Sequence, residues 1–225
     1  MTSFKAGLTA WPRDIARASR IQEELSQKVR LKALAGKPEL VAGVDAAFSA
    51  SEVFAVACLY AYPALEPLED SSAVREVRFP YITGYLSFRE GEAIVMAVLG
   101  LSRRPDLLLV DGQGVAHPRG IGIASHLGVL LGLPAVGCAK SRLIGEYAEL
   151  DREKGSRVPL RHQGRVIGAV VRTRRGVRPL FVSPGHLIDC DQAVDITLAC
   201  TGAFRIPEPL RRADFLSKKM KGERS

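Results

Sequence analysis

The feature that most constrains this chain is a change of pattern along its first half. Residues 39–48 (ELVAGVDAAF), 52–62 (EVFAVACLYAY) and 73–79 (AVREVRF) are rich in β-branched and aromatic side chains and are separated by turn-forming Ser, Pro and Asp. Segments this close in sequence pair with their neighbours, which predicts an antiparallel meander. From residue 88 the pattern alternates instead. Residues 88–101 read as helix, 106–110 (DLLLV) as a short buried strand, 121–132 as helix and 134–138 (PAVGC) as the next strand. Short, wholly apolar strands joined through helices belong to the parallel, doubly covered part of a sheet.

The remaining segments complete that frame. Strands are expected at 157–161, 165–173 and 179–183 around a Gly164-Arg165 turn, with helices at 190–201 and, strongly basic, at 208–220. An amphipathic first helix starts near Pro12, spaces Ile15, Ala18, Ile21, Leu25, Val29 and Leu31 along one side, and is stopped by Gly36-Lys37-Pro38. Neither a repeat nor a linker divides the sequence. The expectation is one α/β domain over residues 1–225, a mixed sheet whose antiparallel meander feeds parallel strands, flanked by helices.

Composition narrows the partners. With 47% hydrophobic but only 6% aromatic residues, the core must rest on Leu, Val, Ile and Ala. The 32 basic against 24 acidic residues leave +8, which favours a polyanion but fits plain solubility equally well. Cys58, Cys138, Cys190 and Cys200 form no C-x-x-C pair and have no His at zinc-ligand spacing, so reduced, buried thiols are expected. The opening MTSFKAGLTAWPRD lacks the order of a signal peptide, and no apolar run is long enough to cross a bilayer. A cytoplasmic protein with no membrane partner is the expectation.

Against that background a few acids stand in costly places. Asp45 lies inside a strand pattern, where a carboxylate resists burial; read alone, it fits a turn at a strand end equally well. Asp111 ends LLLV and is followed by Gly112-Gln113-Gly114, at the carboxyl end of a buried strand where α/β sheets bind ligands. An N-cap is its plain alternative, although the next helix begins several residues later. Glu90 opens a helical pattern, where the helix dipole alone would account for it; the same account suits Glu92 better. Asp214, read by itself, is a solvated helix residue. Carboxylates gathered in a basic chain suit magnesium, which takes oxygen ligands and bridges to phosphates, and such ions serve phosphodiester hydrolysis.

Four phrases then become specific: VAGVDAAFS (41–49), FPYITGYLSFREG (79–91), VDGQGVAHPRGIGIASHLG (110–128) and VGCAKSRLIG (136–145). With FVSPGHLID (181–189) and RIPEPLRRAD (205–214), the chain resembles the endonuclease V, or deoxyinosine 3′-endonuclease, family, in order over nearly its whole length. The resemblance implies a ribonuclease H-like fold. It further implies Mg2+- or Mn2+-dependent hydrolysis of the second phosphodiester 3′ to hypoxanthine, leaving 3′-hydroxyl and 5′-phosphate ends.

Carried over by matching motif, Asp45, Asp111 and Glu90 are the metal carboxylates, with Asp214 as a fourth member at a position where the family holds His or an acid. Lys140, in CAKSRL, matches an active-site lysine expected to hold a phosphate oxygen or orient water. His117, in VAHPRG, supports the site or touches substrate; its plain alternative is a surface loop residue. Tyr81 resembles the wedge that fills the gap left by an extruded base, with a core aromatic as the alternative, and Thr83 stands where the family more usually has proline. Gly112, Gln113 and Gly122, among the loop glycines, are expected to line the base pocket. His186 receives no chemistry. The expected partner is DNA containing deoxyinosine. An inosine-directed ribonuclease of the same fold and a non-catalytic nucleic-acid-binding module are the alternatives.

Overall fold

The computed structural model describes residues 11–224. The stretch read above as unlike a signal peptide therefore lies mostly outside the described residues. The elements run α1 (Ile15–Ser26), β1 (Leu40–Phe48), β2 (Glu52–Ala61), β3 (Glu66–Glu76), α2 (Leu86–Leu99), β4 (Leu107–Val110), α3 (Ile123–Leu131), β5 (Ala135–Ala139), β6 (Arg157–His162), β7 (Arg165–Val171), β8 (Leu180–His186), α4 (Cys190–Ala199) and α5 (Glu208–Gly222).

The eight strands make one sheet in the order β3-β2-β1-β4-β5-β8-β7-β6. The meander β1-β2-β3 is antiparallel, β1-β4-β5 is parallel, and β5-β8-β7-β6 returns to antiparallel pairing. This is the mixed sheet that the sequence pattern predicts, and it matches the ribonuclease H-like fold that the resemblance implies.

Both faces of the centre are covered, which is why β4 reads as unbroken LLLV and why Leu107, Leu108 and Leu109 are fully buried. On one face Ala42 and Val44 of β1 meet Ala93, Ile94 and Ala97 of α2 and Leu127 of α3. On the other, Val41 and Leu109 meet Val194 and Ile196 of α4 and Leu210 of α5. Ala18 of α1 joins Phe79, Tyr85 and Phe88, so the few aromatic rings concentrate beside the start of α2.

The largest departures from expectation are the end of the first helix and the start of the third strand. The first helix, capped by the Asp14 carboxylate accepting from Arg17 N, ends at Ser26 rather than running to residue 36. Beyond it the backbone is claimed by distant partners: Arg30 N donates to His186 Nδ1, Leu34 N to Gln192 Oε1, and Leu187 N to Arg30 O. Long-range hydrogen bonds outweigh the weak apolar spacing of Val29 and Leu31, and Leu31 is left exposed. The third strand begins at Glu66, seven residues before the expected start at 73. Its first half, EPLEDSS, is poor in β-formers but serves as a charged edge strand, with Asp70 paired to Arg212 of α5 and Glu69 accepting from Ser102. The hairpin between β6 and β7 turns at Gln163-Gly164, both at positive φ, one residue earlier than expected.

One glycine sets how closely the layers meet. A Cβ on Gly43 of β1 would lie 2.3 Å from the Pro209 carbonyl carbon and 2.6 Å from Leu210 N, so α5 rests directly on the strand backbone. Gly43→Val is expected to cost about 1–3 kcal/mol by overpacking. Gly36→Ala, at a position with nothing within 4 Å of the added atom, should stay within about 0.5 kcal/mol. Urea unfolding midpoints of the two variants check the contrast.

Candidate functional site

Strand order brings the first two acids together. Val44 of β1 faces Val110 of the parallel β4, so Asp45 and Asp111 occupy the next positions on neighbouring strands, and Asp111 N reaches Val44 O at 3.4 Å. The close approach at Gly43 supplies the third. From Gly43 to Asp45 a strand advances roughly 6.7 Å, and from Pro209 to Asp214 a helix advances roughly 7.5 Å. The helix therefore delivers Asp214 to the level of Asp45. Asp45, Asp111 and Asp214 each present a carboxylate oxygen within 4.8 Å of the others. Glu90, on the first turns of α2, is 5% exposed and adds its charge from the opposite layer, although it lies outside that tight trio.

The electrostatics are strained in one direction. Burial first, then the Asp111 charge, pushes Asp45 from 3.8 up to about 8. Burial, followed by Asp45 and Asp111, holds Glu90 well above the ordinary carboxylate range. Burial raises Asp111 as well, against the pull of Lys140. Asp214 differs: burial would raise it, but Lys218, at 2.7 Å, and Lys140, at 3.5 Å, bring it below its ordinary value. Lys140, set just past β5, bonds Asp111 directly; burial works against its charge, and Asp111, Asp45 and Asp214 outweigh that and raise its pKa.

Lys140 contacts Asp111 and Asp214, and Lys218 contacts Asp214, which leaves Asp45 and Glu90 short of positive charge. An oxygen-only donor set with excess negative charge, half-buried at strand ends, fits a hard divalent cation. Asp45, Asp111 and Asp214 are the residues that would hold one, with Glu90 behind them. Asp214 would be missed by helical periodicity, because nothing local tells that its turn of α5 faces a strand.

Beside the acids lies a cavity of about 400 Å³ whose lining includes both Asp111 and Lys140. Its walls come from three loops. One carries Tyr81, Thr83 and Gly84, the second Gly112, Gln113, His117 and Gly122, and the third Ser141, Arg142 and Leu143. Every candidate substrate contact from the sequence thus lines one cavity. The third loop was not anticipated, although it directly follows Lys140 in CAKSRL.

The second loop is pressed hard onto the sheet: a Cβ on Gly114 would sit 2.2 Å from Pro184 O, and Gly114 N donates to Ser183 Oγ at 2.8 Å. Gln113 reaches across to donate to Ser141 O at 2.9 Å, joining the second and third walls. Both ring nitrogens of His117 meet backbone: Nδ1 accepts from Arg119 N at 3.2 Å, which leaves Nε2 to donate to Gly84 O at 2.8 Å. Burial lowers its pKa, so the ring is neutral. Tyr81 is 71% exposed and is no core aromatic. His186 lies away from the cavity, buried, and anchors Arg30 N.

The sequence model of the Endonuclease V family matches residues 23–215. This chain belongs to the Endonuclease V family. An Endonuclease V of Geotalea uraniireducens is 54% identical over 208 residues, covering 92% of this chain and 89% of the relative. The crystal structure of Endonuclease V from Streptomyces avermitilis superposes with a TM-score of 0.90 at 41% identity, covering 95% of this chain and 96% of that one. Endonuclease V of Ciona intestinalis, solved with a 24mer DNA containing an inosine followed by a ribo-adenosine, superposes at 0.82 with 26% identity, over 93% and 98% of the two chains. Membership in the Endonuclease V family makes the chain a nuclease, and its acidic cluster suits a divalent metal. The four cysteines are free thiols, and among the described residues no helix is long and apolar enough to cross a membrane.

The crowding of like charge has a measurable sign. A folded-state pKa raised from 3.8 to about 8 means that Asp45 favours the metal-free fold fully below its ordinary value and progressively less as pH rises toward 8. Asp45→Asn should match the wild-type melting temperature near pH 4 and exceed it by at least about 3 °C at pH 8 without metal. The same variant should lose most of the stabilisation that added Mg2+ or Mn2+ gives the wild type. Thermal melts across pH, with and without metal, test both parts.

Proposed function

We propose that this chain is a repair endonuclease that recognises deoxyinosine in DNA and hydrolyses the second phosphodiester 3′ to it, leaving 3′-hydroxyl and 5′-phosphate ends. The observation that carries the reading is that Asp111 and Lys140 belong at once to the acidic cluster and to the cavity lined by Tyr81, Gly112, Gln113, His117 and Gly122. Base recognition and phosphodiester hydrolysis then share one connected site. The position of the cut rests on the family resemblance.

The residues take the following roles. Asp45, Glu90, Asp111 and Asp214 hold Mg2+, or Mn2+ in its place. A bound divalent ion supplies neutralising charge to the phosphate and acidifies water at neutral pH. Lys140, 44% exposed at its side chain, keeps its charge and is placed to hold a phosphate oxygen or orient the attacking water. Main-chain groups around Gly112 and Gly122 read the edge of hypoxanthine, and Gln113 fixes the wall that carries them. His117, neutral and engaged by backbone, supports the pocket. Exposed Tyr81 fills the stack vacated by the extruded base.

A second substrate reading is kept by one observation. The Ciona relative was crystallised on a strand in which a ribonucleotide follows the inosine. Inosine-containing RNA is therefore an alternative substrate. A non-catalytic binding module is disfavoured because all four carboxylates and Lys140 are present.

Matched DNA and RNA strands carrying one inosine, with adenine controls and Mg2+ or Mn2+, test the reading. The wild type should cut the inosine DNA strand and spare the adenine strand. Asp45→Ala and Asp111→Ala should lower the rate by more than about 100-fold. Tyr81→Ala should slow duplex incision by about 10-fold and affect single strands less. Equal cutting of inosine and adenine strands would defeat the base-recognition claim, and absence of cutting in every condition would defeat the nuclease assignment.

A further inference from the structure

The Ile82–Tyr85 turn forms one wall of the cavity and follows directly on Tyr81. Tyr85 N donates to Ile82 O at 2.9 Å, and Gly84, at the third position, has φ +84. That combination marks a type II turn, with Thr83 at its second position. Thr does not fix φ there, so the turn must be held in some other way.

Two other pieces of the chain, α1 and the loop at His117–Arg119, hold it through buried and half-buried polar groups. Gly84 O accepts from Gln22 Nε2 at 2.7 Å and from His117 Nε2 at 2.8 Å, which uses both of its lone pairs. Gln22 is 1% exposed, and its Oε1 accepts from Arg119 at 3.2 Å. That pairing fixes the orientation of the amide, since a flipped amide would set donor against donor. Arg119 also donates to the Tyr85 hydroxyl at 2.7 Å, and that hydroxyl meets Ser19 Oγ at 2.8 Å. Ser19 and Gln22 stand three apart on α1 and so share a face. A polar network whose members satisfy one another in this way admits a single arrangement.

We propose that Gln22 and Arg119 are positioning residues that clamp the Ile82–Tyr85 turn, set the width of the cavity, and so contribute to selection of the extruded base. The proposal rests on the reading of that cavity as a base pocket. The first helix is thereby part of the specificity device, although it contributes no residue to the lining of the cavity. Neither residue touches the acids, so the clamp acts on capture of the base and leaves the hydrolytic step alone.

Gln22→Leu keeps the approximate volume of the side chain and removes both hydrogen bonds. Steady-state incision of an inosine strand should show KM raised by about 10-fold with kcat changed less than about 3-fold, and a smaller ratio of inosine to adenine cutting. Hydrogen exchange of the Tyr85 amide, measured without nucleic acid, should speed up by about 10-fold. Arg119→Lys, which cannot reach Gln22 and Tyr85 together, should move both readouts the same way by less and guards against misfolding of the first variant. Adding Thr83→Pro to Gln22→Leu should restore both, because a ring presets φ at that position of the turn.

A loss confined to kcat, an unchanged KM, or exchange at Tyr85 that does not respond would overturn the proposal. So would failure of Thr83→Pro to rescue. A wild type that cuts no inosine strand sinks the function reading itself; a wild type that cuts while Gln22→Leu behaves identically sinks only the clamp.

Discussion

The site depends on mutual repulsion held in check by the sheet. Asp45 and Asp111 are neighbours because β1 and β4 are parallel and in register. Asp214 joins them because Gly43 lets α5 lie on the strand backbone. Folding places these carboxylates within reach of one another, and burial denies them the water that would screen them. Lys140 and Lys218 offset part of the charge, chiefly at Asp111 and Asp214, and leave Asp45 and Glu90 raised. The fold gives up stability in the metal-free state to keep an oxygen-rich centre ready for a cation, as functional sites commonly do.

The same constraint connects the acids to the cavity. Asp111 is the first residue of a loop pressed onto β5 and β8 through Gly114, and that loop continues through Gln113 and His117 to Gly122. A loop fixed at this many points cannot move its pocket residues without moving Asp111. Under the proposed function, the distance between the cavity that would hold a base and the acids where a phosphate would be attacked is therefore built into the backbone. Rigidity of that kind is what a nuclease that cuts at a fixed offset from a recognised base requires.

Much of this is legible in the sequence, and the rest is hidden for physical reasons. Asp111 stands out because a carboxylate directly after LLLV, before two glycines, has few structural uses. Lys140 stands out by its place after a second buried strand. Asp45 alone remains ambiguous until β4 is placed beside β1. Asp214 is invisible locally: on α5 it looks solvated, and only the bare backbone of Gly43, on another element, turns it inward. Gln22 and Arg119 carry no local signal in the sequence, since the partners that bury Gln22 lie 62 and 97 residues away. The length of α1 and the start of β3 are misjudged for a similar reason. For α1 the distant partners His186 and Gln192 decide the backbone against local propensity, and for β3 pairing with the adjoining β2 does so.

The central claim is that acids and cavity are a single coupled site, and linkage offers the most direct test. Mn2+ affinity should be measured by titration calorimetry with the protein bound to an inosine strand whose two linkages 3′ to the base are made uncleavable, and again with the adenine counterpart. If one site serves both tasks, Mn2+ binds at least about 5-fold more tightly beside inosine, and the inosine strand binds more tightly with Mn2+ by the same factor. Equal Mn2+ affinity beside inosine and adenine would contradict the account.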